Sequence, residues 1–219
     1  MGRLYPKAVK ASHVNMIPAN PPDVTSNPIL AAQNALTEYT ADEKVGLERS
    51  KWFKDEGFGY NLLQSTKPQT LGYGLADSPV LLLAWIYEKL HDWTDAYPWT
   101  DDEILTWISI YLFSTAGPQA SVRIYYEAYH EKAPRSVDLA KGYIGNVKLA
   151  LAYFWNDIEI SPKLWARELG DVVYESTHEH GGHFAAYEKP EAMVLDLKAM
   201  TKMDGPLASI LGDGPSGLE

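Results

Sequence analysis

Apolar positions recur three and four residues apart over most of the stretch from Ile29 to Tyr129, the spacing that lines one face of an α-helix. Local signals divide this stretch into separate helices. TADEKVGLERSKWFKDEGFGYNLL opens on Thr40 with Glu43 three residues later, a pairing in which each side chain satisfies the other residue's backbone N–H. DSPVLLLAWIYEKLHDW opens with Asp77 or Ser78 as cap and Pro79 at the first helical position, where its missing N–H costs nothing. TDDEILTWISIYLFSTAG opens on Thr100 and places Asp101, Asp102 and Glu103 at the positive end of the helix dipole. PQASVRIYYEAYHEK reads as a further helix. The pattern changes on both sides of this block. Ahead of it, Arg3 to Lys10 read as a short amphipathic helix, HVNMI (His13 to Ile17) as a short strand, and PANPPDVTSNP as a linker. After it, NVKLALAYFW (Asn146 to Trp155) and DVVYEST (Asp171 to Thr177) are of strand length and character. Between them SPKLWARELG reads as one short helix ending in Gly170. KPEAMVLDLKAMTKM reads as a final amphipathic helix, and the tail DGPSGLE as disordered. Strands separated by helices predict a parallel α/β sheet, with the helical block as an insertion or cap. No internal repeat is visible.

Composition narrows the function classes. The 219 residues are 46% hydrophobic and 22% charged, ordinary for a packed protein. The formal net charge of −10 argues against nucleic acid, whose phosphates would repel the chain. The absence of cysteine excludes disulfides, thiol catalysis and thiolate zinc sites. The longest apolar run, Val80 to Tyr87, has eight residues, far short of the roughly 18 needed to span a bilayer. MGRLYPKAVKAS lacks the apolar stretch of a signal peptide. A cytoplasmic location is the expectation, any membrane anchor lying upstream of Met1.

Candidate chemistry concentrates in ESTHEHGGHFAAYEKP, which holds His178, His180 and His183 within six residues. The histidines are suitable metal ligands, but the stretch does not match HExxH: Gly182 stands where the second histidine belongs. The paired glycines also prevent a helix from gathering the side chains on one face. As a general base, His183 fits a loop leaving the C-terminal end of a parallel strand, where open α/β sheets place functional groups. A catalytic histidine needs a carboxylate to fix its tautomer. Asp157, directly after the other strand in FWNDIEISP, is one candidate and Glu159 the other. The bland alternative makes Asp157 a turn cap and His183 a solvated loop residue. Tyr60 and Tyr125, two of 14 tyrosines, could each donate to an oxygen gaining charge or simply pack in a core. Trp85, Trp93, Trp99 and Trp107 read as apolar filling of the helical block.

EHGGHFAAYEKPE resembles the catalytic-histidine loop of microsomal-type epoxide hydrolases, members of the α/β-hydrolase fold. QSTKPQTLGYGLADSPVLLLAWIYEKLHDWTD and YPWTDDEILTWISIYLFSTAGPQASVRIYYE resemble the family's cap, and YFWNDIEISPKLWARELGDVVY its acid loop and following strand. The likeness runs from Gly2 to about Met203. It implies His183 as the water-activating base, Asp157 as the acid orienting it, and Tyr60 and Tyr125 as the cap phenols that hydrogen-bond the epoxide oxygen. His178 and His180 are then bystanders. The implied reaction forms an ester between an aspartate and an epoxide carbon, then hydrolyses it with His-activated water to a vicinal diol. No cofactor or metal is implied.

The nucleophile that the resemblance requires is set on a sharp strand-to-helix turn of the type G-x-D-x-G or G-x-S-x-G. No such turn, and no H-G-x-P oxyanion loop, occurs in these 219 residues. GRLYPKAVKASHVNMI resembles the helix just after that turn and the next strand. The expectation is therefore a chain that begins just past its nucleophile and carries the C-terminal part of an α/β-hydrolase fold with a large helical cap. Residues 1–22 would be a core fragment, 23–135 the cap, and 136–219 the late core with the acid and histidine loops. Partners would be a neutral, apolar epoxide and water, with an unpaired strand edge inviting self-association or pairing with a complementary N-terminal half. The isolated chain would be unstable and inactive. The rival expectation is a non-catalytic homologue that binds an apolar ligand or a full-length partner; a metal hydrolase comes third.

Overall fold

A computed structural model of the chain describes residues 1–132 and 142–211. The chain divides into two compact units, one of Met1–Ser50 with Gly142–Glu219 and one of Lys51–Lys141.

The first unit is built on a three-stranded parallel sheet in the order β1 (Ala11–Val14), β2 (Ile144–Asn156), β3 (Gly170–Gly182). β2 is central and buried on both faces, which is why NVKLALAYFW reads as a continuous apolar run rather than an alternating one. Alternation nevertheless sorts its side chains. Leu151 and Tyr153 pack with Ile17 and Ala166 on one face. Ala150 packs with Met200 and Leu207, and Ala152 and Phe154 with Ala185, on the other. That second face carries α8 (Ala185–Glu188), α9 (Pro190–Thr201) and α10 (Ala208–Leu211).

Two sequence-based readings shift at the start of the chain. Residues Arg3 to Lys10 form two consecutive turns, closed by Tyr5 N–H to Met1 O (2.8 Å) and Val9 N–H to Tyr5 O (2.9 Å), not a helix. Pro6 accounts for this: its ring disfavours helical geometry at Tyr5 and it has no N–H to donate. The strand expected over His13 to Ile17 lies earlier, at Ala11–Val14, because that is where Lys148–Leu151 of β2 offers its edge.

Residues 23–50, expected with the cap, belong to the sheet-bearing unit. α1 (Pro28–Leu36) is capped by Asn27, whose side-chain amide also donates to Glu168 (2.9 Å). Asn34 accepts from the Trp165 indole at 2.8 Å. α2 (Ala41–Trp52) begins with the Thr40–Glu43 capping box, and Glu43 also accepts the Lys163 N–H at 3.0 Å. Ser50 exchanges two hydrogen bonds with the backbone of Ile160, at 2.7 and 2.9 Å. The expected boundary at 135/136 and the tail DGPSGLE lie outside the described residues.

In the second unit the helix expected to run through to Leu63 is broken. A π-helical turn occupies Phe53–Gly57, and α3 (Gly59–Thr66) starts afresh. Gly57 and Gly59 weaken the helix here, and Phe53, 3% exposed, is anchored by edge contacts with Phe58 and Trp93. α4 (Pro68–Asp77), α5 (Pro79–Asp92), α6 (Asp101–Leu112) and α7 (Ala120–His130) follow. Ser78 caps α5 and the Thr100–Glu103 box caps α6. Leu71, Leu75, Leu82, Ile108 and Val122 form their shared core. Among the described residues no helix is long and apolar enough to cross a membrane.

Candidate active site

Because β2 and β3 are parallel, the segments leaving their C-terminal ends emerge together, and Asn156 lies opposite Gly182 in the register. Asp157 and His183 are the next residues on each strand. His183 donates from Nδ1 to Asp157 Oδ1 over 2.8 Å. The acid is sealed, with a side chain 1% exposed, while the imidazole is 22% exposed and reachable from solvent. Of the two candidate acids it is Asp157, not Glu159, that meets the ring. Asp157 is held from behind: its N–H donates to Phe154 O at 3.0 Å and its Oδ1 accepts the Ile158 N–H at 2.7 Å. Its other oxygen, Oδ2, is buried with no hydrogen-bond partner among the described residues.

The histidine segment is less of a loop than its glycines suggest. β3 continues through His178 and His180 to Gly182, and only His183 and Phe184 form the turn into α8. Gly181 has φ +112°, and a Cβ there would stand 2.7 Å from Cδ1 of Phe154, so both the backbone angle and the contact require glycine. The Gly182 N–H donates to the buried carboxylate of Glu188 at 3.1 Å.

The three histidines diverge. His180 is exposed. His178 turns to Asp196 of α9 (Nε2 to Oδ2, 2.9 Å) and stacks on Phe154. Among the described residues no three His, Asp or Glu side chains are gathered as metal ligands.

The two tyrosines come together in the second unit. Tyr60 opens α3 and Tyr125 lies in mid-α7, with their rings edge to face and centroids 5.9 Å apart. Burial, with the neighbouring Tyr125 phenol adding to it, pushes the Tyr60 hydroxyl well above the ordinary tyrosine range, so it keeps its proton. Trp93 and the Lys89 ammonium, 5.2 Å from the ring centroid, also contact the Tyr60 ring.

Sequence reasoning passed over Asp196. It lies 3% exposed and accepts from Tyr174 (3.1 Å) and Ser176 (2.6 Å) as well as His178. The signal was present: Asp196 is four residues from both Ala192 and Met200, on the stripe of α9 that packs on the sheet.

No protein-family model matches the chain. It is 37% identical over 170 residues to a candidate epoxide hydrolase of Stigmatella aurantiaca, covering 74% of this chain and 36% of that protein. The solved epoxide hydrolase of Aspergillus niger is 33% identical, with a TM-score of 0.71 over 90% of this chain and 48% of that one. The silkworm (Bombyx mori) juvenile hormone epoxide hydrolase is 29% identical, with a TM-score of 0.72 over 90% of this chain and 49% of that one. The chain thus spans about half the length of these relatives or less. On this sequence and structural likeness, the chain belongs to the epoxide hydrolase family of the α/β-hydrolase fold.

Proposed function

We propose that this chain carries the water-activating and epoxide-orienting residues of an enzyme that converts a neutral, apolar epoxide to a vicinal diol. The supporting observation is the 2.8 Å contact between His183 Nδ1 and the buried Asp157 carboxylate. With Nδ1–H given to the acid, Nε2 is the basic nitrogen, and the imidazolium formed when it takes a proton from water is offset by the adjacent negative charge. Tyr60 and Tyr125 donate to the epoxide oxygen as the C–O bond opens.

In the first step an aspartate carboxylate attacks an epoxide carbon. The ring C–O bond breaks, and the departing oxygen takes a proton from a tyrosine. In the second, water loses a proton to His183 and adds to the ester carbonyl. The adduct breaks its ester C–O bond and passes its hydroxyl proton to the departing alkoxide, which releases the diol and regenerates the carboxylate, and the proton on His183 returns to the tyrosine oxygen. The aspartate is supplied from outside these 219 residues, which contain no G-x-D-x-G turn. The outer edge of β1, with no strand on it among the described residues, is where such a complementary half would pair.

The test is incubation with styrene oxide, for the chain alone and for the chain joined to a segment bearing the aspartate turn. Diol formation in the second case only is the expected result. A well-folded joined protein without turnover would refute the reading. If that protein also bound apolar ligands regardless of His183→Ala, the non-catalytic homologue suggested by the absent turn would take its place.

A further inference from the structure

His178 lies outside the dyad, yet it is firmly held. Asp196, with a side chain 4% exposed, accepts from three side chains of β3, His178 at 2.9 Å, Ser176 at 2.6 Å and Tyr174 at 3.1 Å, and its Oδ2 lies 3.5 Å from the His13 Nε2 of β1, which makes no hydrogen bond among the described residues. Ser176, Tyr174 and His13, with Phe154 of β2, are polar and aromatic neighbours of His178 and its carboxylate. The held imidazole lies nearly parallel to the Phe154 ring, with centroids 4.5 Å apart at 23°.

Phe154 in turn touches Asp157 and the backbone that leads to His183. Its carbonyl accepts the Asp157 N–H at 3.0 Å. Its ring lies so close to Gly181, two residues before His183, that no Cβ fits between them. A shift of this ring would let the Gly181 backbone relax and carry His183 away from Asp157. An apolar neighbour would leave the ring room to slide. A satisfied buried carboxylate sets the stacking partner in one orientation.

We propose that Asp196 and His178 are positioning residues for the His183–Asp157 pair, acting through the ring of Phe154. The assignment rests on reading that pair as the water-activating one, but its test needs no turnover. A failed styrene oxide assay and a failed test here are therefore separate results.

The test uses the full chain with 15N-labelled histidine, the His183 ring signals being assigned by their loss in His183→Gln. Two quantities are read: the ring 15N shifts, which report the tautomer, and the water-exchange rate of the Nδ1 proton. The parent chain should show one Nδ1–H tautomer and slow exchange. His178→Ala should mix the tautomers and speed exchange on the order of tenfold, the factor implied by loss of about one hydrogen bond's worth of local stability. His178→Gln, whose flat amide can lie on Phe154 and still donate to Asp196, should recover much of the parent signature, whereas His178→Phe, a ring that Asp196 cannot hold, should not. A merely structural role would give no such rescue. If His178→Ala does not fold, Asp196→Asn decides, since it keeps the volume but loses the charge, and it should also speed exchange. Unchanged His183 signals in folded His178→Ala or Asp196→Asn, a His178→Gln chain no better than His178→Ala, or a His178→Phe chain with the full parent signature would overturn the proposal.

Discussion

Asp157 gives one oxygen to His183 and keeps the other buried without a described partner, so its charge depends heavily on the imidazole beside it. In the joined enzyme, Asp157→Asn should lower turnover by about three orders of magnitude or more, because the amide cannot accept in the same way and the histidine tautomer is lost. His183→Gln should cost about 100- to 10,000-fold in the ester-hydrolysis step, with ester accumulating as seen by mass spectrometry. Gly181→Ala should destabilise the chain by about 1–3 kcal/mol, read from the urea midpoint, because φ +112° and the Phe154 contact both exclude a Cβ. His183 and Asp157 were legible through the family resemblance of EHGGHFAAYEKPE and YFWNDIEISPKLWARELGDVVY, whereas strand patterning alone left Glu159 as a rival acid. Asp196 was marked only as an acid on the packed stripe of α9; its neighbours His13, Tyr174, Ser176 and His178 are scattered over two strands and meet only in the folded sheet.

At the level of elements, start signals were legible wherever they were local. The Thr40–Glu43 and Thr100–Glu103 boxes and the Ser78–Pro79 start all mark real helix N-termini. Interruptions were not legible. The π-helical turn at Phe53–Gly57 depends on what Phe53 packs against, and the displacement of β1 depends on the β2 edge. Thr40→Ala should cost about 1 kcal/mol, as for other lost N-caps. Glu43→Ala should cost more, because its carboxylate also holds the Lys163 N–H at the entry to the segment before β3. Thermal melts of the two variants side by side give the comparison, and equal losses would mean that the Lys163 contact contributes nothing.

For the whole molecule, the buried polar cluster gives the sheet-bearing unit an acid-sensitive stability. Burial pushes the His13 imidazole below its usual value, against the pull of Asp196. Burial alone would raise the Asp196 carboxyl, but hydrogen bonds from Ser176, His178 and Tyr174 hold it below the ordinary range. Both folded-state values are depressed, so both contributions are present above the unfolded values of 6.5 and 3.8 and are lost as pH falls through the folded ones. Melting temperature should therefore decline from pH 7 towards pH 5 and fall again below about pH 4. His13→Leu should flatten the first decline. The room for this cluster comes from small residues on the central strand: Ala150 is paired with His13 on one side and Tyr174 on the other, and Ala152 with Ser176. Both alanines are almost wholly buried. Anyone redesigning this protein for heat tolerance would be tempted to enlarge that row with valine or isoleucine. Each added methyl would compete for volume with a carboxylate that has nowhere else to go, so bulkier residues there should weaken the molecule they were meant to strengthen.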